Sequence, residues 1–148
     1  MNLHGLRKPP YHAFQLLGRL GSQRVPVAGG DGWTDAIATA DGGKRVLVYR
    51  HPQTFDQALG SGRIAVALDA QPTVTPRLFR LDRQDNNVIA RWRDLGSPDY
   101  LDRRQLGDLR AGNQLQSAPG AVTVEKVGER WQAVFELECP GVALLELA

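Results

Sequence analysis

The sequence predicts a mainly β protein: an antiparallel β-sandwich with an N-terminal helix and a short helical insertion. Three observations predict it. After residue 21, short apolar runs recur between turn residues. Several of those runs alternate apolar and polar positions, as a sheet with one buried face requires. Two stretches, 9–20 and about 87–111, keep helical spacing instead.

The first helix is read over 9–20. Pro9 and Pro10 suit a helix start, where an N–H would lack a partner anyway. Ala13, Phe14, Leu16, Leu17 and Leu20 then cover one broad face, and Gly21 is read as its stop. A lone amphipathic helix needs a surface to cover it. Phe14, Leu17 and Leu20 are therefore candidate interface residues, including for a homo-oligomer.

Strands follow at about Arg24–Val27, Trp33–Ala40, Arg45–Tyr49, Arg63–Asp69 and Thr75–Leu81, then Val122–Val127, Trp131–Leu137 and Val142–Leu147. Asp41-Gly42-Gly43 and Gly128-Glu129 read as hairpin turns, and Gln53–Gly62 as a mobile surface loop. Ile64, Val66 and Leu68 mark one buried face. The nearly unbroken apolar run Val142–Leu147 predicts a central strand. Between Asn86 and Leu115 the strand pattern stops. Val88, Ile89, Trp92 and Leu95 have helical spacing up to Gly96, with Pro98 beyond. A further helix is read over Leu101–Ala111 through Leu101, Leu106 and Leu109.

Composition bounds the function. A chain of 148 residues fits one domain, which at this size buries roughly 68–70% of the surface its unfolded form exposes. Apolar residues make up 42% and charged residues 23%, ordinary values for a globular protein. No apolar run approaches the ~20 residues of a membrane-spanning helix, and Met1–Pro9 lacks the apolar core of a signal peptide. No membrane partner is expected, and the compartment is left open. Net charge is +2. Arg77, Arg80, Arg83, Arg91 and Arg93 with Phe79 and Trp92 imitate a single-strand nucleic-acid platform. Asp82, Asp85 and Asp94 lie among them, so pairing within the domain is expected and no nucleic acid.

The reactive residues are sparse. Cys139 reads as a buried small hydrophobe. His4, His12 and His51 lack metal-ligand spacing, no serine sits in a Gly-x-Ser-x-Gly elbow, and no cofactor is expected. Gly60-Ser61-Gly62-Arg63-Ile64-Ala65 imitates a dinucleotide loop, but a strand follows where a helix is required. Trp92 sits at a helical core position. Trp33, after Gly30-Asp31-Gly32, and Trp131, opening a strand, are the tryptophans open to a ligand, since a pyranose offers an apolar C–H face to an aromatic ring. Glu125, Glu129, Glu136, Glu138 and Glu146 lie in or beside strand patterns whose alternation points them to solvent.

The segment Leu81–Pro98 is the most specific part. Its Asp82, Asn87, Trp92 and Gly96-Ser97-Pro98 come in an unusual order that resembles the β-sandwich following the catalytic barrel in family 39 glycoside hydrolases, the β-xylosidases and their relatives. Gly5-Leu6-Arg7-Lys8-Pro9 with Tyr11, Ala13, Phe14, Leu17 and Leu20-Gly21 resembles the last barrel helix and its exit. Arg45–Tyr49, then Gln105, Leu106, Leu109, Arg110 and Leu115, and finally Pro140-Gly141-Val142 with Leu144 and Leu145 continue the likeness. Two positions depart: Asp85 stands where the family pattern has a His, and Ile89 where it often has an aromatic residue.

The resemblance implies residues 1–21 as the helix leaving a barrel, and 22–148 as an accessory sandwich with its insertion at about 87–111. In that family two carboxylates ~5–5.5 Å apart act as nucleophile and acid/base, and both belong to the barrel. No catalytic residue is assigned here, and the chain alone is expected to hydrolyse nothing. The implied partner is the catalytic barrel of a xylosidase-like enzyme. Trp33, Asp85, Asn87 and Trp131 are the candidate contacts to barrel or sugar. The alternatives are a stand-alone carbohydrate-binding module for xylo-oligosaccharide, and an oligomerisation domain.

Overall fold

Alternation along the strands resolves into two antiparallel sheets packed face to face. The computed structural model describes residues 5–54 and 59–147. Its elements are α1 (Pro9–Leu17), β1 (Arg24–Val25), β2 (Thr34–Thr39), β3 (Lys44–Arg50), β4 (Ser61–Leu68), β5 (Arg77–Leu81), α2 (Val88–Asp94), α3 (Arg103–Ala111), β6 (Thr123–Val127), β7 (Arg130–Glu138) and β8 (Gly141–Leu147). The larger sheet runs β1-β2-β3-β8-β5 and the smaller β4-β7-β6. Every expected strand is present. Both expected hairpins form as well, with Gly42 and Gly43 at φ +65° and +101°, a conformation costly for any residue with a Cβ. Of the expected loop 53–62, residues 55–58 fall outside the described residues, and Ser61 and Gly62 already belong to β4.

Burial follows the two-residue period. Val48, Leu78, Ala143, Leu145 and Leu147 of the larger sheet meet Ala133, Phe135 and Leu137 of the smaller one between the layers. On the outer face of the larger sheet, Leu47, Phe79, Leu81 and Leu144 form a second cluster with Leu16 of α1. β8 lies under both clusters, so both its faces are covered and its sequence is apolar except for Glu146. A third cluster joins Leu6, Val88 and Leu109 beneath the helical insertion. Asn113 binds the entry segment there through the Arg7 backbone, donating Nδ2–H to its carbonyl at 2.9 Å. α3 opens on a reciprocal capping box between Asp102 and Gln105.

The first helix is shorter than its pattern. It closes at Leu17, where the Gly18 N–H returns to the Phe14 carbonyl at 2.8 Å, and tighter turns carry the chain through Arg19 and Leu20. Gly21 has a different reason: a Cβ there would lie 1.9 Å from the Asp41 carboxylate. That carboxylate organises the crossover into β1, accepting from the Gln23 N–H (2.9 Å) and from both the N–H (2.7 Å) and hydroxyl (2.8 Å) of Ser22.

The bond from the Gln23 N–H, followed by those from Ser22, holds the Asp41 carboxyl at about 2, below its ordinary 3.8. A depressed folded-state pKa stabilises above the unfolded value, and the contribution is lost as pH falls through the folded one. The melting temperature is therefore expected to drop between about pH 4 and pH 2. Asp41→Asn, which cannot ionise, should flatten that part of a pH-dependent melting series. An unchanged profile in the variant would refute the assignment.

Candidate functional site

α1 is apolar on two sides. Its inner side, Ala13 and Leu16 with Leu20 just beyond the helix, packs on the outer cluster of the larger sheet. His12 is buried and its Nδ1 lies 2.8 Å from Gln15 Oε1. Arg19 clamps the end of this segment. Its guanidinium stands 4.2 Å from the centre of the Phe79 ring and pairs with Glu146 at 3.1 Å. The outer side carries Pro10, Phe14 and Leu17, spaced as neighbours one and two turns apart. Phe14 is 73% exposed and Leu17 43%. Of the three expected interface residues, Phe14 and Leu17 face outward, whereas Leu20 is taken up by the domain's own packing.

The Asp82–Asn87 turn is tied into the fold. Asp82 Oδ1 accepts from the N–H groups of Gln84 (2.9 Å) and Asp85 (2.8 Å). The Asp85 carboxylate pairs with Arg80 at 2.5 Å. Asn87 caps α2, accepting from the Ile89 N–H at 3.0 Å, while its own amide donates to the Asp82 carbonyl at 3.0 Å. Asn86, at φ +53°, bridges to Gln116 and to the Arg80 carbonyl. The positions carrying the strongest family likeness are thus engaged in holding strand to helix. Trp92, expected in the core, is only half-buried; its indole N–H donates to the Pro98 carbonyl at 3.1 Å and closes the turn after α2.

The four candidate contacts do not converge. Asp85 and Asn87 follow β5, at one edge of the larger sheet, and Trp33 precedes β2 near the other. Trp131 is half-buried in β7 of the smaller sheet, opposite Leu68. Trp33 instead finds neighbours that the sequence did not single out together. Asp35 pairs in register with Tyr49, and the Tyr49 hydroxyl donates to Asp35 Oδ2 at 3.1 Å. That bond, before burial, raises the Tyr49 pKa above its usual 10. The His51 N–H donates to the Trp33 carbonyl at 3.0 Å, extending the ladder by one pair. The Tyr49 and His51 rings stack in parallel, 6.2 Å between centres and 12° apart. Asp31 Oδ1 accepts from the N–H groups of Trp33 (3.0 Å) and Thr34 (2.7 Å), fixing the entry to β2, and these bonds lower its pKa.

The strand glutamates are used variously. Glu125 pairs with Arg63 at 2.6 Å, and Glu146 is held by both Arg19 and Arg77. Glu136 is exposed and accepts from the Ser61 hydroxyl at 3.0 Å. Glu138 departs from the expected solvent-facing arrangement: one of its carboxylate oxygens is buried without a hydrogen-bond partner among the described residues. Among the described residues no three His, Cys, Asp or Glu side chains gather as a metal site, and no helix is long and apolar enough to cross a membrane. The larger sheet overhangs the smaller one, leaving a cleft of about 1060 Å³ lined by Ala36, Val46, Val48, Ile64, Val66 and Leu68.

No protein-family model matches the chain. A β-xylosidase from Caldicellulosiruptor saccharolyticus is 29% identical over 119 residues, which is 78% of this chain and 24% of that protein. The structure of a family 39 (GH39) β-xylosidase from Caulobacter crescentus superimposes with a TM-score of 0.68 at 23% identity, covering 99% of this chain and 29% of the other. The GH39 enzyme from Xanthomonas axonopodis pv. citri gives a TM-score of 0.73 at 22% identity, covering 99% and 31%. The chain thus spans about a quarter of its curated relative and under a third of these solved structures.

Proposed function

We propose that this chain, a β-sandwich similar to part of family 39 β-xylosidases, is a non-catalytic accessory domain of such an enzyme. It packs on and stabilises a catalytic barrel, with residues 1–21 as the joining segment and 22–148 as the sandwich. One observation carries the reading: α1 is apolar on both sides, and only the inner side is covered by the sandwich. An apolar stripe left uncovered beside a covered one belongs against a further surface. Phe14, 73% exposed, is the residue such a position would cover first. The comparisons support the reading because they span nearly all of this chain and under a third of the xylosidase structures.

Two measurements test it. The purified chain is expected to release no nitrophenol from an aryl-xyloside; turnover that follows the chain through purification would overturn the non-catalytic role. Mixed with the remaining, separately folded portion of the Caldicellulosiruptor β-xylosidase, it is expected to sediment as a one-to-one complex. The competing reading is a homodimer through the same stripe, and it would show as self-association of the chain alone with no binding to the barrel.

A further inference from the structure

We propose that Trp33, Asp35, Tyr49 and His51 form a shallow subsite for a neutral saccharide on the outer face of the larger sheet. The site goes beyond barrel packing and does not depend on it. Register places these residues together. Asp35 is paired with Tyr49, and the Trp33–His51 bond adds the next pair. Side chains two apart on a strand share a face, so Tyr49 and His51 stand side by side, their rings nearly parallel. Trp33 and Asp35 share the facing edge.

The chemistry selects the ligand class. Partly exposed rings offer π surface, which pairs with the apolar C–H face of a pyranose. The carboxylate of Asp35 accepts one bond from Tyr49 Oη and one from the Ala36 N–H. With about four lone-pair directions, a carboxylate retains capacity for sugar hydroxyls. An apolar peptide would bury Asp35 without satisfying it, a costly arrangement. A phosphate-bearing ligand would meet Asp31 and Asp35 directly. A neutral polyol satisfies both the rings and the carboxylate.

The decisive experiment is an NMR titration of the whole chain with xylohexaose up to about 10 mM, the range in which a shallow site with a Kd of roughly 1 mM saturates. The Trp33 indole and the Tyr49 and His51 ring resonances are expected to shift together. Trp33→Ala should weaken binding by about tenfold or more. Asp35→Asn, an exposed change that leaves the fold intact, should weaken it several-fold while the ring shifts persist at higher sugar. No shift at any concentration would overturn the proposal, as would shifts centred on Trp131 that survive Trp33→Ala. Neither failure bears on barrel docking, which is read by sedimentation.

Discussion

Phe79→Ala is expected to destabilise the domain by about 3–5 kcal/mol, the usual cost of removing a buried aromatic ring without refilling its space. The ring is 2% exposed and lies in the cluster that joins β3, β5 and β8 to Leu16 of α1. It also carries two guanidiniums, Arg19 at 4.2 Å and Arg77 at 5.1 Å from its centre. Both arginines pair with Glu146, so the ring and the ion pairs together fasten α1 to the sheet. Against a total stability of about 5–15 kcal/mol for a natural domain, such a loss is large. Equilibrium denaturation measures it directly, and limited proteolysis should show faster cleavage between Leu17 and Arg24 as α1 loosens. A loss under about 1 kcal/mol would mean that the cluster collapses around the gap and that α1 is held elsewhere.

The strands were legible because their period is local. Val142–Leu147 announced a central strand, which β8 is, and the outer cluster with α1 is what covers its second face. Helix and turn ends were less legible when their reason was tertiary. Gly21 looked like a helix stop, but it is glycine because Asp41, in the turn between β2 and β3, fills the space a Cβ would need. The family likeness singled out Asn87 as a match and Asp85 as a departure. It could not disclose that Arg80 and the start of α2 occupy their side chains. The Trp33 cluster was invisible for the opposite reason. Trp33 and His51 meet only through the register of β2 with β3, and a one-residue slip would have sent the rings to opposite faces. Glu138 keeps the alternation of β7, out of phase with the buried Ala133, Phe135 and Leu137, yet one of its carboxylate oxygens is still covered, which a two-residue period cannot show.

Phe14→Gln combined with Leu17→Gln is expected to separate folding from docking. Both residues are exposed, and glutamine is nearly as good a helix former as leucine, so stability should change by no more than about 0.5 kcal/mol. Association with the barrel should suffer far more. A fully buried Phe or Leu contributes about 1.5–3 kcal/mol, and Leu17 already hides part of its surface. The pair is therefore expected to lose about 2–4 kcal/mol, or roughly 30- to 1,000-fold in Kd, by sedimentation against the barrel. Leu16→Ala supplies the contrast from one residue away. Leu16 is fully buried against the sheet, so its loss should cost about 2–5 kcal/mol of stability and weaken docking only through α1 itself. If the glutamine pair unfolds the domain, the outer stripe belongs to the domain's own core. If it leaves both stability and association unchanged, the barrel does not dock on α1. Only the combination of an intact fold with lost association fits a helix shared between two bodies.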